Sequence, residues 1–251
     1  VLRVTIALVF CVSSLAASLG NRCQASDKWT GLSLSGGAGG SISHQTIDRY
    51  WAFAHGLESN TYVYGWLTQS TDHGTMESSV AAFATAQVGY DLPLTSWLIL
   101  GAFADVDIFQ GSDRFQVNAG WWESEFRGTI NYDYSFSTGA RLGAIVTENI
   151  LVYGLVGYTF SDANIRCVEC GPSIAPSSKF DLARSGLLLG GGVEQWLGAS
   201  WSLRFEYRYA QFDDEGFLSL YRGDSNYWSE EEATIEGQQT HSLRASIVWR
   251  N

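Results

Sequence analysis

One pattern constrains this chain more than any other: apolar side chains at every second position, in stretches of about ten residues or more, returning along most of its length. Over residues 96–109, Leu98, Leu100, Ala102, Ala104, Val106 and Ile108 share one parity, while Gly101, Asp105 and Asp107 share the other. A period of two is the signature of a strand with two unlike faces; a helix would repeat every three or four residues. The connections between these stretches are alternately very short and very long. Strands are predicted at about 29–40, 79–92, 96–110, 127–146, 149–161, 183–197, 200–212 and 239–250. Tight turns fall at Pro93-Leu94-Thr95, Thr147-Glu148 and Gly198-Ala199, and long loops at roughly 41–78, 111–126, 162–182 and 213–238. Short turns then gather at one end and long loops at the other, with both chain termini at the turn end.

The two faces differ in kind. Trp201, Leu203, Phe205, Tyr207 and Tyr209 share a parity opposite to Arg204, Glu206 and Arg208, and Leu243, Ala245, Ile247 and Trp249 oppose Ser242, Arg244 and Ser246. In the fourth strand Tyr132, Tyr134, Phe136, Ala140, Leu142 and Ala144 are expected outside, leaving Asp133, Ser135, Ser137, Gly139, Arg141 and Gly143 inside. The fifth strand does not declare its faces. Only 16% of the 251 residues are charged, against about 25% in soluble domains. With 10 Trp, 12 Tyr and 13 Phe, water-facing surface must be scarce. The predicted fold is all-β: one eight-stranded antiparallel transmembrane β-barrel with its apolar face to lipid. Trp29, Trp97, Trp201 and Trp249 lie near strand ends on the turn side, where aromatic rings favour a membrane interface.

Residues 1–25 form a predicted signal peptide, with Arg3 ahead of an apolar run from Val4 to Leu15 that is too short to span a bilayer. The barrel domain is then 26–251, and cleavage after Ala25 removes Cys23. The net charge of -11 disfavours nucleic acid.

Segments across nearly the whole mature chain resemble the small outer-membrane barrels of alphaproteobacteria, the porin family or OmpA-like β-barrel domain. The pieces are Trp29-Thr30-Gly31 with Gly36, Gly37 and Gly40, Gln87-Val88-Gly89-Tyr90-Asp91, Ala140-Arg141-Leu142-Gly143, Val152-Tyr153-Gly154, Trp201 to Tyr207, and His241-Ser242-Leu243-Arg244-Ala245. The resemblance implies residence in the bacterial outer membrane after export, with outer-membrane lipid, lipopolysaccharide and the barrel-insertion machinery as partners. Such barrels usually end on an aromatic residue; here Trp249 is followed by Arg250 and Asn251.

The inward charges are predicted to be Asp105, Asp107, Asp133, Glu194 and Glu206 against Arg141, Arg204, Arg208 and Arg244. An eight-stranded lumen is just wide enough for side chains to fill, so these groups should pair across it as a charge network that closes the barrel. Cys167 and Cys170, in the third long loop, are expected to form a local disulfide, since no second cysteine pair or histidine cluster completes a metal site. The acidic and aromatic fourth loop, from Asp213 and Asp214 through Tyr227, Trp228 and Glu230 to Glu232, and the first loop with His44, His55 and His73 offer surface for a host or envelope protein. Neither supplies a clear metal site. Phosphate-binding loops, nucleophile elbows and helical zinc motifs are absent, and with them any sign of a cofactor. His241-Ser242-Leu243 lacks the run found in lipid A deacylases. The expected role is structural and surface-contacting, not enzymatic; a small diffusion pore is the alternative, and a lipid-modifying enzyme the third reading.

Overall fold

The computed structural model describes residues 27–55, 66–75, 79–117, 126–170, 179–223 and 227–251. The predicted signal peptide and Cys23 lie outside these. A short 3-10 turn, Asp27–Trp29, leads into β1 (Gly31–His55), β2 (Trp66–Thr75), β3 (Ser79–Pro93), β4 (Leu98–Gln110), β5 (Ser112–Val117), β6 (Phe126–Thr147), β7 (Ile150–Cys170), β8 (Lys179–Gly198), β9 (Trp201–Phe212), β10 (Glu215–Gly223) and β11 (Tyr227–Arg250). Eight of them, β1, β3, β4, β6, β7, β8, β9 and β11, pair antiparallel in that order, and β11 returns to β1 to close the barrel. Closure leaves no barrel edge with unpaired backbone. Strands β2, β5 and β10 pair with β1, β6 and β11 beyond the barrel wall.

The tight turns have specific chemistry. Thr95 Oγ1 accepts the Leu98 amide at 3.1 Å between β3 and β4, and Thr147 Oγ1 accepts the Asn149 amide at 3.3 Å between β6 and β7. The β8–β9 turn runs through positive φ at Gly198 (117°), Ala199 (48°) and Ser200 (82°), the twist that a two-residue hairpin requires.

Several strands outrun their expected ends. β1 has 25 residues and β11 has 24, and their ladder continues to His55↔Tyr227. β7 and β8 likewise extend past residues 161 and 183 into the expected third loop. The expected boundaries marked where apolar alternation stops. Hydrogen bonding does not stop there: backbone pairing continues past the lipid-facing band, and in β7 and β8 Ala163, Ile165 and Leu182 stay buried beyond the expected ends.

Alternation inside the barrel wall follows parity. Outward positions such as Leu34, Val88, Leu100, Phe136, Val156, Leu189, Phe205 and Ile247 are exposed, and their neighbours are buried or half-buried. β7 hid its faces because both are apolar near the turn end: Leu151, Tyr153 and Leu155 point in, Val152 and Val156 out. Among several bulges, one in β6 breaks the pattern. The β6–β7 register slips between Tyr132 and Tyr134, leaving Asp133 unpaired in the ladder. A bulge moves every residue beyond it to the other face, so Ile130 is fully buried. Tyr132, expected outside, lines the interior.

Candidate functional site: the barrel interior

The lumen is filled in tiers. At the turn end sits an apolar cap of Trp29, Ile99, Ile145 and Leu151, with Trp196 packed edge-on to Trp29 at 5.6 Å between centroids. Trp29 is 0% exposed. That corrects its expected place in the interface girdle: the 3-10 turn folds the ring under the barrel instead of outward. Trp97 and Trp201 are exposed, and Trp249 is half-buried.

Above the cap lies a tier of Asp91, Glu194, Arg141, Arg204 and Arg250. Arg141 grips Asp91 with both Nε, at 2.8 Å, and Nη2. Arg204 donates to Glu194 Oε2 from Nη2 at 2.9 Å and Nε at 3.1 Å, and also to Gln87. Ser202 Oγ donates to Glu194 Oε1 at 2.5 Å. Arg250 Nη2 stands 3.2 Å from Asp91 and 3.3 Å from Glu194.

The next tier is Asp105, Asp107, Glu206, Arg208 and Arg244. Arg208 forks onto Asp105 at 2.7 and 3.1 Å, and its Nε donates to Glu206 at 2.5 Å. Arg244 forks onto Asp107 at 2.9 and 3.3 Å. Tyr153 Oη donates to the other Glu206 oxygen at 2.6 Å. In total five carboxylates meet five arginines, every one under 9% exposed.

Each of the five guanidinium groups also lies over an aromatic ring: Arg141 and Arg204 over Tyr153, Arg208 over Phe103, Arg244 over Phe83, and Arg250 over Trp29, at 5.1–5.9 Å from ring centres. A flat, weakly hydrated cation suits this sandwich better than a lysine ammonium would. Glycine makes the room. A Cβ on Gly101 would come 3.1 Å from Arg141 Cγ and Nε and run into Asp91; one on Gly192 would come 2.5 Å from Tyr153 Oη.

Two corrections follow for the expected network. Asp133 is not in it: the β6 bulge leaves it exposed, where it accepts a hydrogen bond from Asn164 Nδ2. Asp91 and Arg250 belong to it and were missed, although both carry inward parity; Asp91 is in step with Gln87 and Gly89, Arg250 with Arg244 and Ser246. The other eight predicted charges are brought together.

Above the second tier the lumen opens into a cavity of about 60 Å³. Hydroxyls of Ser41, Ser135, Thr159 and Ser242 and the rings of Phe83, Phe109, Tyr132 and Phe212 form its wall, and Asp107, Arg208 and Arg244 its floor. That volume accommodates a few water molecules.

The outer face has a feature the sequence reading passed over. Tyr134, Tyr158 and Tyr207, at the hairpin end of the exposed apolar band, carry hydroxyls bonded to Asp162, to Asp213 at 3.2 Å, and to His241 at 2.7 Å respectively. With Trp97 and Trp201 at the turn end, aromatic rings mark both borders of the band.

Strand β7 corrects a further expectation. Its backbone stays in the ladder through Cys170, with Gly128↔Cys167 and Phe126↔Cys170 paired on either side of a bulge at Val168. Three steps along a strand separate Cα atoms by about 10 Å, whereas a disulfide needs roughly 4.4–6.8 Å. The expected Cys167–Cys170 bridge does not suit this backbone. The cysteine side chains, and those of His55, His73 and Glu230 to Glu232, lie outside the described residues.

The family comparison agrees with this architecture. Residues 5–239 match the family described as outer membrane protein beta-barrel domain. The 31 kDa outer-membrane immunogenic protein of Brucella melitensis biotype 1 is 26% identical over 149 residues, which are 59% of this chain and 61% of that protein. The chain thus matches less than two thirds of that relative's length. Among solved structures, Neisserial surface protein A is similar at 13% identity and a TM-score of 0.38, covering 84% of this chain and 97% of that one. The outer membrane protease OmpT of Escherichia coli is similar at 12% identity and a TM-score of 0.38, covering 86% and 97%. A closed eight-stranded barrel with a lipid-ready outer band and a family match over most of its length identifies the chain as a member of the outer membrane protein beta-barrel domain family, resident in the bacterial outer membrane.

Proposed function

We propose that this protein serves the envelope as a closed barrel that displays its extracellular hairpins, with the lumen plugged rather than conducting. One observation carries the reading: the buried network of five carboxylates and five arginines spans the barrel from wall to wall. Arg208 of β9 reaches Asp105 of β4, Arg244 of β11 reaches Asp107 of β4, and Arg250 of β11 reaches Glu194 of β8. A path for solutes would have to unpair groups already desolvated together, and breaking one such pair costs about 3–5 kcal/mol. Below the network, the Trp29 cap closes the periplasmic mouth a second time.

The same pairing supports a role other than catalysis. Asp105 and Asp107, which on spacing alone resemble an acid/base pair, are each forked by an arginine. What remains for partners is the extracellular side, where β1 and β11, β6 and β7, and β7 and β8 project as paired strands.

Planar-bilayer conductance of the refolded protein tests this, with insertion established by heat-modifiable gel mobility. Inserted but silent barrels are expected. Steady unitary currents from the unaltered chain would make it a small diffusion pore and refute the reading.

A further inference from the structure

The lipid-facing side of a barrel strand turns from apolar to polar where hydrocarbon gives way to headgroups. On three adjacent strands, β9, β11 and β1, the exposed apolar series ends at Phe205, Leu243 and Ile42. The next outward residue on each is Tyr207, His241 and His44, with Tyr209 one step beyond Tyr207. Register sets Tyr209 beside His241 and His241 beside Ile42. The side chains converge: Tyr207 Oη and His241 Nδ1 are 2.7 Å apart, the Tyr209 and His241 rings 5.2 Å, and the His44 and His241 rings 6.5 Å, edge to face. Two imidazoles and two phenols therefore gather at the hairpin end of the apolar band, within the zone of the extracellular headgroups.

We propose that His44, His241, Tyr207 and Tyr209 bind the phosphate group of an outer-leaflet lipid headgroup. Phosphate oxygens are held by converging hydrogen-bond donors. When the Tyr207 hydroxyl donates to His241 Nδ1, the Nε2–H is left to donate outward. The barrel's buried arginines cannot serve, since Arg204, Arg208 and Arg244 are committed inside the lumen. Among the described residues, the titratable groups facing His241 are Tyr207 and Tyr209 from β9 and His44 from β1. Asp213, further along β9's outer side, is engaged with Tyr158 at 3.2 Å and Ser185 at 3.5 Å on the β7–β8 side.

The experiment compares phosphatidate with diacylglycerol, which differ only in the phosphate, by native mass spectrometry of the refolded full chain in mild detergent. Phosphatidate should be retained about tenfold better, the equivalent of one charge-assisted hydrogen bond. It should vanish in a His44→Gln, His241→Gln double variant whose heat-modifiable mobility is unchanged. Equal retention by that variant overturns the proposal. So does displacement by inorganic phosphate at the same concentration as the lipid, which would mark a site for soluble anions instead.

Discussion

Replacing Arg208 with methionine takes one cation from the centre of the lumen. Arg208 is 1% exposed and makes two hydrogen bonds to Asp105, at 2.7 and 3.1 Å, and one to Glu206 at 2.5 Å. Its tier holds three carboxylates and two arginines, one negative charge in excess. Arg208→Met raises that excess to two and leaves Asp105 facing only Arg244 Nη1 at 3.7 Å. Glu206 keeps Tyr153 at 2.6 Å and Arg244 Nε at 3.7 Å. Loss of one partner from a buried pair costs about 3–5 kcal/mol, and the surviving contacts place the expected loss near the lower bound. Adding Asp105→Leu restores the original tier charge and should recover most of it, since an apolar pair in place of a buried ion pair is close to neutral. Urea titration of the refolded protein in lipid vesicles, followed by tryptophan fluorescence and by the heat-modifiable gel shift, measures both variants. A single variant within about 1 kcal/mol of the unaltered protein, or a double variant less stable than the single, would refute the argument that this network is a desolvated plug.

Other consequences can be checked with the same material. Trp29→Ala removes the largest ring of the periplasmic cap and the platform under Arg250; a loss of about 3–5 kcal/mol is expected in the urea titration, and an unchanged midpoint would count against the cap. Gly101→Ala places a methyl group against Asp91 and the Arg141 side chain, so it should destabilise by about 1–3 kcal/mol, whereas Gly36→Ala, where a Cβ meets nothing within 4 Å, should be close to silent. The extended β7 backbone predicts that a maleimide labels Cys167 and Cys170 without prior reduction; labelling that requires a reductant would restore the disulfide.

How much the sequence disclosed depended on whether a residue's position followed from parity alone. Strand number, turn positions and most inward charges did, because a period of two repeats faithfully wherever one face meets lipid and the other a packed lumen. Asp133 was misplaced because a bulge reverses parity without leaving a mark on the apolar pattern. Trp29 was misplaced because it precedes the first strand, where parity says nothing and a 3-10 turn decides the direction. Arg250 and Asp91 had the right parity but sat at strand ends, where a charge reads as solvated. The pairing of each arginine with an aromatic ring joins strands far apart in sequence, such as Arg208 with Phe103, so no local pattern could announce it.

The ion pairs mostly join strands that are not neighbours: β3 with β6, β4 with β9, β4 with β11, β8 with β11. A sheet still missing a strand, or wound in the wrong order, holds desolvated charges with no counterpart, and only the complete circumference neutralises them all. Assembly is thereby proofread: each arginine tests whether a distant strand has arrived in its register, and a misthreaded barrel is penalised at the moment it tries to close.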